Sequence, residues 1–520
     1  MGLHIGGNVG AGRAPSNPGF EAIGFPSQAF EFAPAPRFLR AISGQVRMWR
    51  KAAFRTLFTA LCVVFFSCAL AQAQEAVSNT PAAAPPPVSE ALHSGEAPAK
   101  GEELPPDLAP TIASSVPSLR HIKKELLDLG LNFQVNYTGE VLGNPTGGVR
   151  QRAIYEHLLE LALDGDLDKI AGLSGASFHI NAYQVTGTGL STCCIFNLLT
   201  MSSIEAMPST YLFEAWFEQS LLGNVASIRI GQIAANTEFT VSDLSALYYN
   251  ATFGWPNILA ANLPSTGPNY PLATPGVRLK VAPNDQLAFL AALFNGDPSG
   301  AGFTGLQEAS DSSGTNFRLR DPPLLMTELQ YRYNQNKESA GLAGTIKLGA
   351  WYHFGNFGGP RAGFDGLFLP NYQGDYGVYG MIDQMLWRLP GDDPKKGVGA
   401  FALVSEIPAD RNVANFYAEG GITCIGVWDA RPDDMFGVAA AYSPVSPAVN
   451  GLLAAANQPV RDYEMALEAT YQAQIVPGWY VQPDFQYVFH PGYHALNPLN
   501  AALGRIPDAP VFGIRTTVKF

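Results

Sequence analysis

The sequence predicts an all-β protein whose antiparallel strands close into a transmembrane barrel, with one short helix before the first strand. Three observations carry that reading. Segments of about nine to eleven residues alternate apolar and polar side chains, the composition is poor in charge and rich in aromatics, and the last segment alternates up to a terminal Phe520. The 520 residues are 47% apolar, 11% aromatic and only 15% charged, against roughly 25% charged residues in an ordinary soluble domain. With 53 Gly, 31 Phe and 20 Tyr, the mixture suits strands joined by turns better than long helices. Lys plus Arg number 32 against 44 Asp plus Glu, a net charge of -12. No broad cationic surface is available to neutralise a nucleic-acid backbone, so nucleic acid is excluded as a partner.

The N-terminal region reads as an export signal. Met48 is followed by Arg50, Lys51 and Arg55, an uncharged run from Leu57 to Leu70, and Ala71-Gln72-Ala73. A basic stretch, a short apolar core and small residues at the -3 and -1 positions make a secretory signal peptide over 48–73, cleaved after Ala73. The apolar run of about 15 residues is short of the roughly 20 that a membrane-spanning helix needs. Cys68 follows Phe65-Phe66-Ser67, a poor context for lipidation. Residues 1–47 are rich in Gly, Pro and Ala without periodicity, which reads as a mis-annotated extension upstream of a true start at Met48. Cleavage after Ala73 removes seven basic and two acidic residues, leaving 25 against 42 in a strongly acidic exported chain. Cys193, Cys194 and Cys424 stay; export permits one disulfide, and Cys424 with either Cys193 or Cys194 is its candidate, buried or loop thiols being the alternative. Residues 74–118, with Pro85-Pro86-Pro87 and Pro105-Pro106, read as a disordered linker.

Over 119–130 the spacing of Leu119, Ile122, Leu126 and Leu129 predicts a short amphipathic helix, with Ser118 as N-cap and Gly130 as its stop. From Leu131 the period becomes two, and a barrel is read over 131–520. Phe133, Val135 and Tyr137 oppose Asn132, Gln134, Asn136, Thr138 and Glu140; Leu329, Tyr331 and Tyr333 oppose Glu328, Gln330 and Arg332. Ile346, Leu348 and Ala350 oppose Lys347 and Trp351, and Met465, Leu467 and Ala469 oppose Glu464 and Glu468. That last segment also has apolar residues at helical spacing, and strand is the preferred reading. Two hairpins are predicted, one turning at Val476-Pro477-Gly478 and one at Pro283-Asn284-Asp285.

A soluble sandwich also alternates, but its outer face is richer in charge than these Gln, Asn, Thr and Gly faces. Such residues suit a water-filled interior, while Phe, Tyr, Val, Ile and Leu suit lipid. Lipid exposure in turn forces closure, because only a closed barrel pairs every backbone group inside a bilayer. The final segment, with Phe512, Ile514, Val518 and Phe520 on one face, is similar to the last strand of bacterial outer-membrane proteins. That likeness implies that Phe520 is read by the barrel-assembly machinery.

Seven fragments then occur in order: Tyr137-Thr138-Gly139-Glu140, Asn144-Pro145-Thr146-Gly147-Gly148, Glu214-Ala215-Trp216-Phe217-Glu218-Gln219, Ile228-Arg229-Ile230-Gly231-Gln232, Thr237-Glu238-Phe239, Phe253-Gly254-Trp255-Pro256 and Phe294-Asn295-Gly296-Asp297-Pro298. The series resembles the OprB-type carbohydrate-selective porin family of Gram-negative bacteria over about residues 119–520. The resemblance implies a single 16-stranded barrel in the outer membrane that passes glucose-like sugars into the periplasm, as a monomer in preference to a trimer. It also implies a narrow pore lined by charged and aromatic side chains. Alternation places Glu140, Arg229, Arg278, Glu328, Arg332, Trp351, Glu464 and Glu468 on the lumen side, and the resemblance adds Trp216 and Glu238. Each could equally be a solvated wall residue, and Trp216 and Trp351 could belong to an interfacial aromatic belt. Arg229 and Glu238 are expected near the narrow zone, because their two fragments lie closest together.

Enzymatic readings find little support. Glu464 and Glu468 on a strand have Cα atoms roughly 13 Å apart, beyond the ~5 to 9.5 Å between the carboxyl groups of glycosidases. Pro491-Gly492 between His490 and His494 prevents the helix of a two-His metal motif. Asp164, Asp166 and Asp168 lack the closing glutamate of a calcium loop. No cofactor or metal is expected. The rival functions are a same-fold channel for a polyol or sugar acid, and an exported carbohydrate-binding or hydrolytic β-protein. N-terminal sequencing of the exported chain is expected to begin at Gln74; a mature protein retaining residues before Met48 would overturn the reading of 1–47.

Overall fold

The computed structural model describes residues 111–112, 117–301, 307–360, 368–391 and 393–520. The upstream extension, the signal peptide and most of the linker lie outside the described residues.

Helix α1 spans Pro117–Asp128. Ser118 lies within this described helical span and not at its cap. Gly130, at φ +86°, donates its N–H to the Leu127 carbonyl and turns the chain into the sheet. Sixteen strands follow. The first eight are β1 (Leu131–Gly143), β2 (Ala153–Asp166), β3 (Ala176–Gly187), β4 (Ser209–Leu221), β5 (Ala226–Ile233), β6 (Thr274–Val281), β7 (Leu287–Asn295) and β8 (Pro323–Tyr333). The second eight are β9 (Gly344–Pro360), β10 (Phe368–Arg388), β11 (Gly397–Glu406), β12 (Phe416–Ile425), β13 (Met435–Pro444), β14 (Tyr463–Val476), β15 (Trp479–Phe489) and β16 (Ala509–Lys519).

Every strand pairs antiparallel with its sequence neighbours, and β1 pairs with β16 from Asn136 opposite Lys519 to Gly143 opposite Phe512. The sheet is a closed barrel with no free edge, as lipid exposure requires. Both predicted hairpins form: Pro477–Gly478 joins β14 to β15 with Gly478 at φ +83°, and the Asn284 side chain accepts from Gln286 and Leu287 N–H between β6 and β7. Among the described residues no helix is long and apolar enough to cross a membrane. The strands do the crossing.

Alternation sorts the side chains as the period of two demands. Leu348 is 59% exposed on the outer face while its neighbour Lys347 is buried inside and donates to the Val241 carbonyl at 2.5 Å. In β14, Leu467 faces out, whereas Glu464 and Glu468 are fully enclosed, which settles this segment as strand. Turns 222–225, 282–286 and 477–478 are short at one end; connections 188–208, 234–273, 445–462 and 490–508 are long at the other. Outer-membrane barrels put short turns in the periplasm and long loops outside, which orients the chain.

Two of those long connections depart from a water-filled interior. Residues 234–273 fold into the barrel, and Phe239, Leu244, Tyr248, Phe253 and Trp255 pack there against Met326, Met381, Phe401, Leu403 and Ala441 of the inner wall. Strand β11 is therefore apolar on both faces, because its inner face meets protein and not water. Small wall residues make the room. A Cβ on Gly437 would lie 2.4 Å from the Tyr248 hydroxyl. Residues 188–208 are the second inward connection, with Leu190, Cys194, Ile195 and Met201 buried against Leu142, Val488 and Val511.

The cysteines pair differently from expectation. Cys193 and Cys194 form a disulfide with each other, inside a π-helical turn (Ser191–Ile195), and Cys424 is a free thiol. The reason is the wall itself: Thr423 points inward to the Leu244 carbonyl, so the adjacent Cys424 points outward, on the opposite side of the sheet from the buried turn. In that connection Glu205 accepts from Ser191 and Thr192 N–H at 3.1 and 3.0 Å, and burial raises its carboxyl above the usual range against the lowering pull of these bonds.

The outward face predicts its own test. Leu348→Arg is expected to lower unfolding stability in lipid vesicles by about 2–4 kcal/mol if the site lies near the bilayer midplane, and a label at Leu348 should report acyl chains while one at Gln472 reports water.

Candidate functional site in the barrel lumen

Strands β3 to β6 carry a compact polar constellation on their inner faces. The register sets Glu218 opposite Arg229 and Arg229 opposite Arg278, so adjacent strands deliver a carboxylate and two guanidinium groups side by side. The inward connection adds a fourth member, Glu238, which follows a short 3₁₀ turn (Ala235–Thr237). Arg229 binds Glu218 through Nη2 at 2.6 Å and Nε at 2.9 Å, and binds Glu238 through Nη1. Arg278 binds Glu238 through Nε at 3.0 Å, Glu218 through Nη2 at 3.1 Å, and the Ser227 hydroxyl at 2.7 Å. Two cations and two anions thus neutralise one another within a single network. Removing one member leaves a buried charge unpaired, at a cost of about 3–5 kcal/mol.

Trp216 is held in the same cluster. The Arg229 guanidinium lies 3.5 Å from its ring centroid, and His179, its cross-strand partner on β3, stacks at 5.1 Å between centroids. Arg229 on β5 and His179 on β3 thus reach the Trp216 ring from the two strands that flank β4. His179 is itself fixed by a 2.6 Å bond to Asp164, which also accepts from Gln134 at 3.1 Å. Asp166 instead caps a short helix, α2 (Leu167–Ala171), so the alternating aspartates go to separate partners.

The cluster borders a cavity of about 1510 Å³ that reaches Phe520 at the periplasmic end, where Lys123 and Leu127 of α1 also line it. Its described lining holds ten carboxyl side chains and eight Lys or Arg side chains, close to electrical balance. Three of the residues nominated from sequence line it: Trp216, Arg229 and Arg278. Glu238 stands directly behind them through its two arginine bonds.

The other nominated residues face inward without lining the cavity, and several of them meet the folded-in loops instead. Glu464 accepts from Leu198 and Leu199 N–H at 2.7 and 2.6 Å, and from Gly492 N–H at 2.6 Å. Glu468 accepts from Tyr249 and Asn250 N–H at 2.6 and 3.0 Å. Glu328 accepts from Thr240 N–H at 3.1 Å and the Tyr379 hydroxyl at 2.5 Å. Glu140 pairs with Arg515 at 2.6 Å directly across the β1–β16 seam, and Arg515 lies over the Tyr249 ring. Trp351 is buried beside Gly377 and Ile407, away from any outer belt. Arg332 is half-buried near the periplasmic end of β8.

Sequence reasoning missed Glu218, His179, Asp164 and Ser227. Glu218 was within reach, since it lies in the quoted Trp216 fragment and shares Trp216's face at a spacing of two. His179 and Asp164 had no such signal, because their partnership depends on register across three strands.

A closed 16-stranded barrel with an inward loop and a polar internal cavity defines a diffusion channel of the outer-membrane type. Residues 150–520 match the family described as "Carbohydrate-selective porin, OprB family", and the chain belongs to it. It is 23% identical over 432 residues to Porin B of Pseudomonas aeruginosa PAO1, spanning 76% of this chain and 89% of that protein. Its fold is similar to the high-pH structure of Pseudomonas putida OprB, with a TM-score of 0.65 at 21% identity over 77% of this chain and 96% of that one. The protein is located in the bacterial outer membrane.

If Glu464 and Glu468 hold the inward loops, Glu468→Ala should cost about 1.5–3 kcal/mol for the lost charge-assisted bonds. Limited proteolysis from the extracellular side should then cut within 234–273 in the variant and spare the parent.

Proposed function

We propose that this chain lets small neutral sugars of glucose size diffuse passively from outside the cell into the periplasm. The observation that carries the reading is the charge-balanced Arg229–Arg278–Glu218–Glu238 network beside Trp216, bordering a water-accessible cavity inside a closed barrel. A hydroxyl-rich solute loses hydrogen bonds to water on entering a constriction, and wall donors and acceptors must replace them. Asn136, Glu160, Asn181 and Ser227 stand along the lining beside the cluster and offer both kinds of group. Because the cations and anions of the network already satisfy each other, it presents polarity without a strong preference for either charge. That favours a neutral sugar over a sugar acid. The relatives' names speak of carbohydrate selectivity and of Porin B, and the family assignment supports the same solute class. No step of catalysis enters: selectivity comes from weak replacement of hydration, and weak binding lets the solute leave.

Liposome swelling tests this reading. Arg229→Ala should change the rate for monosaccharides relative to trisaccharides, because it frees Glu218, Glu238 and Trp216 together; unchanged relative rates would count against the proposal. A conservative Arg229→Lys should also disturb selectivity, since a lysine cannot bridge two carboxylates and cover an indole at once.

A further inference from the structure

We propose that Asp462, His490 and His494 form a binding site for a borderline-soft divalent cation of the zinc type at the extracellular rim of the barrel. Asp462 immediately precedes β14, and His490 immediately follows β15, so the β14–β15 pairing brings the two strand ends together. The five residues after Phe489 then turn in an unusual way. His490, Gly492, Tyr493 and His494 all have positive φ, between +53° and +65°. Pro491-Gly492 does block the ordinary right-handed helix, but a left-handed turn returns His494 over His490 instead. The two imidazoles lie parallel, 4.0 Å between centroids and 3° between planes.

Asp462 faces both rings. Its Oδ1 is 2.9 Å from Nδ1 of His490, and its Oδ2 is 3.1 Å from Nδ1 of His494. All three potential ligand atoms lie within 4.8 Å of one another. Separations near 3 Å are those between two ligands that each sit about 2.1 Å from one ion at roughly a right angle. An ion lies in the plane of each imidazole it binds, so loading would tilt the two rings out of their stack. Each neutral imidazole then carries its single proton on Nε2 and offers the Nδ1 lone pair.

The backbone beneath is already fixed. Gly492 N–H donates to Glu464 at 2.6 Å, His490 N–H to Asp508 at 2.8 Å, and Asp462 N–H to the Tyr493 carbonyl at 3.2 Å. Arg505 donates to the His494 carbonyl from the far side. The side chains nevertheless keep 24%, 31% and 46% exposure for His490, His494 and Asp462, which leaves an open side for water to complete a fourth position. Two imidazole nitrogens and one carboxylate favour zinc, nickel or copper over calcium and magnesium, which prefer oxygen ligands throughout. A bound ion would cross-link the feet of connections 445–462 and 490–508 beside Glu464, the residue that also holds the inward Leu198–Leu199 segment.

The test uses untagged full-length protein in detergent, titrated with zinc chloride against a chromophoric chelator. Wild type should take up one zinc per chain at this site. His490→Ala and His494→Ala should each weaken it by at least about tenfold, while His121→Ala, on the exposed face of α1, should not. Zinc should also raise the temperature at which wild type loses its compact band on a detergent gel, and should leave the two variants unmoved; that band in metal-free buffer confirms that they fold. Zinc binding by His490→Ala equal to wild type, no uptake by wild type at ion concentrations matching the protein, or displacement by equimolar calcium would each overturn the proposal.

Discussion

A connection folded into the middle of a barrel carries its unpaired N–H groups with it, away from the strands that would otherwise bind them. Here the wall answers with carboxylates. Glu464, Glu468 and Glu328 each project from a strand and accept backbone N–H groups of the inward connections, at Leu198–Leu199, Tyr249–Asn250 and Thr240. Such bonds join an ionisable acceptor to an otherwise orphaned donor in a region of low dielectric, where either left alone would be costly. Carbonyls of the same segments are met in turn by wall donors, among them Lys347 to Val241, Thr423 to Leu244 and Gln482 to Leu247. The shape of the passage follows from these latches, because they decide how much of the cylinder is filled.

The filled and open parts of the lumen obey different physics. Toward β8–β14, aromatic residues of 234–273 pack on Met, Phe, Leu and Ala of the wall, and the interior resembles the core of a soluble protein. Toward β1–β6 the wall keeps Asn, Glu, Asp and Arg, and the cavity runs along it. Glu238 joins the two regimes: it belongs to the inward connection, yet it lies between Arg229 and Arg278 of the wall. Loop position and pore electrostatics are therefore coupled through one side chain. The seam pair Glu140–Arg515 does something similar at barrel closure, since Arg515 also covers the Tyr249 ring of the same connection.

Much of the architecture is legible residue by residue. Alternation through Phe133–Glu140, Leu348–Trp351 and Glu464–Leu467 assigned each side chain to the correct side of the wall, and both quoted turns closed the hairpins expected of them. The lumen residues were harder. Alternation reports only which way a side chain points, and an inward carboxylate looks the same whether it meets water, a sugar or a loop amide. Glu464 and Glu140 were thus placed on the proper face and met neighbours that the period of two does not encode. Strand β11 shows the converse, with apolar residues on both faces because residues far away in sequence cover the inner one.

By itself, then, the sequence determined the barrel, its orientation of faces and its membership of a recognisable series of fragments, because strand period and turn chemistry are local properties. Only the tertiary structure decided which inward groups border the passage and which anchor loops, that Cys193 bonds Cys194 while Cys424 faces outward, and that His490 stacks on His494. Each of these depends on contacts between segments distant in the chain, or on a left-handed turn whose backbone N–H groups are bound by Glu464 and Asp508.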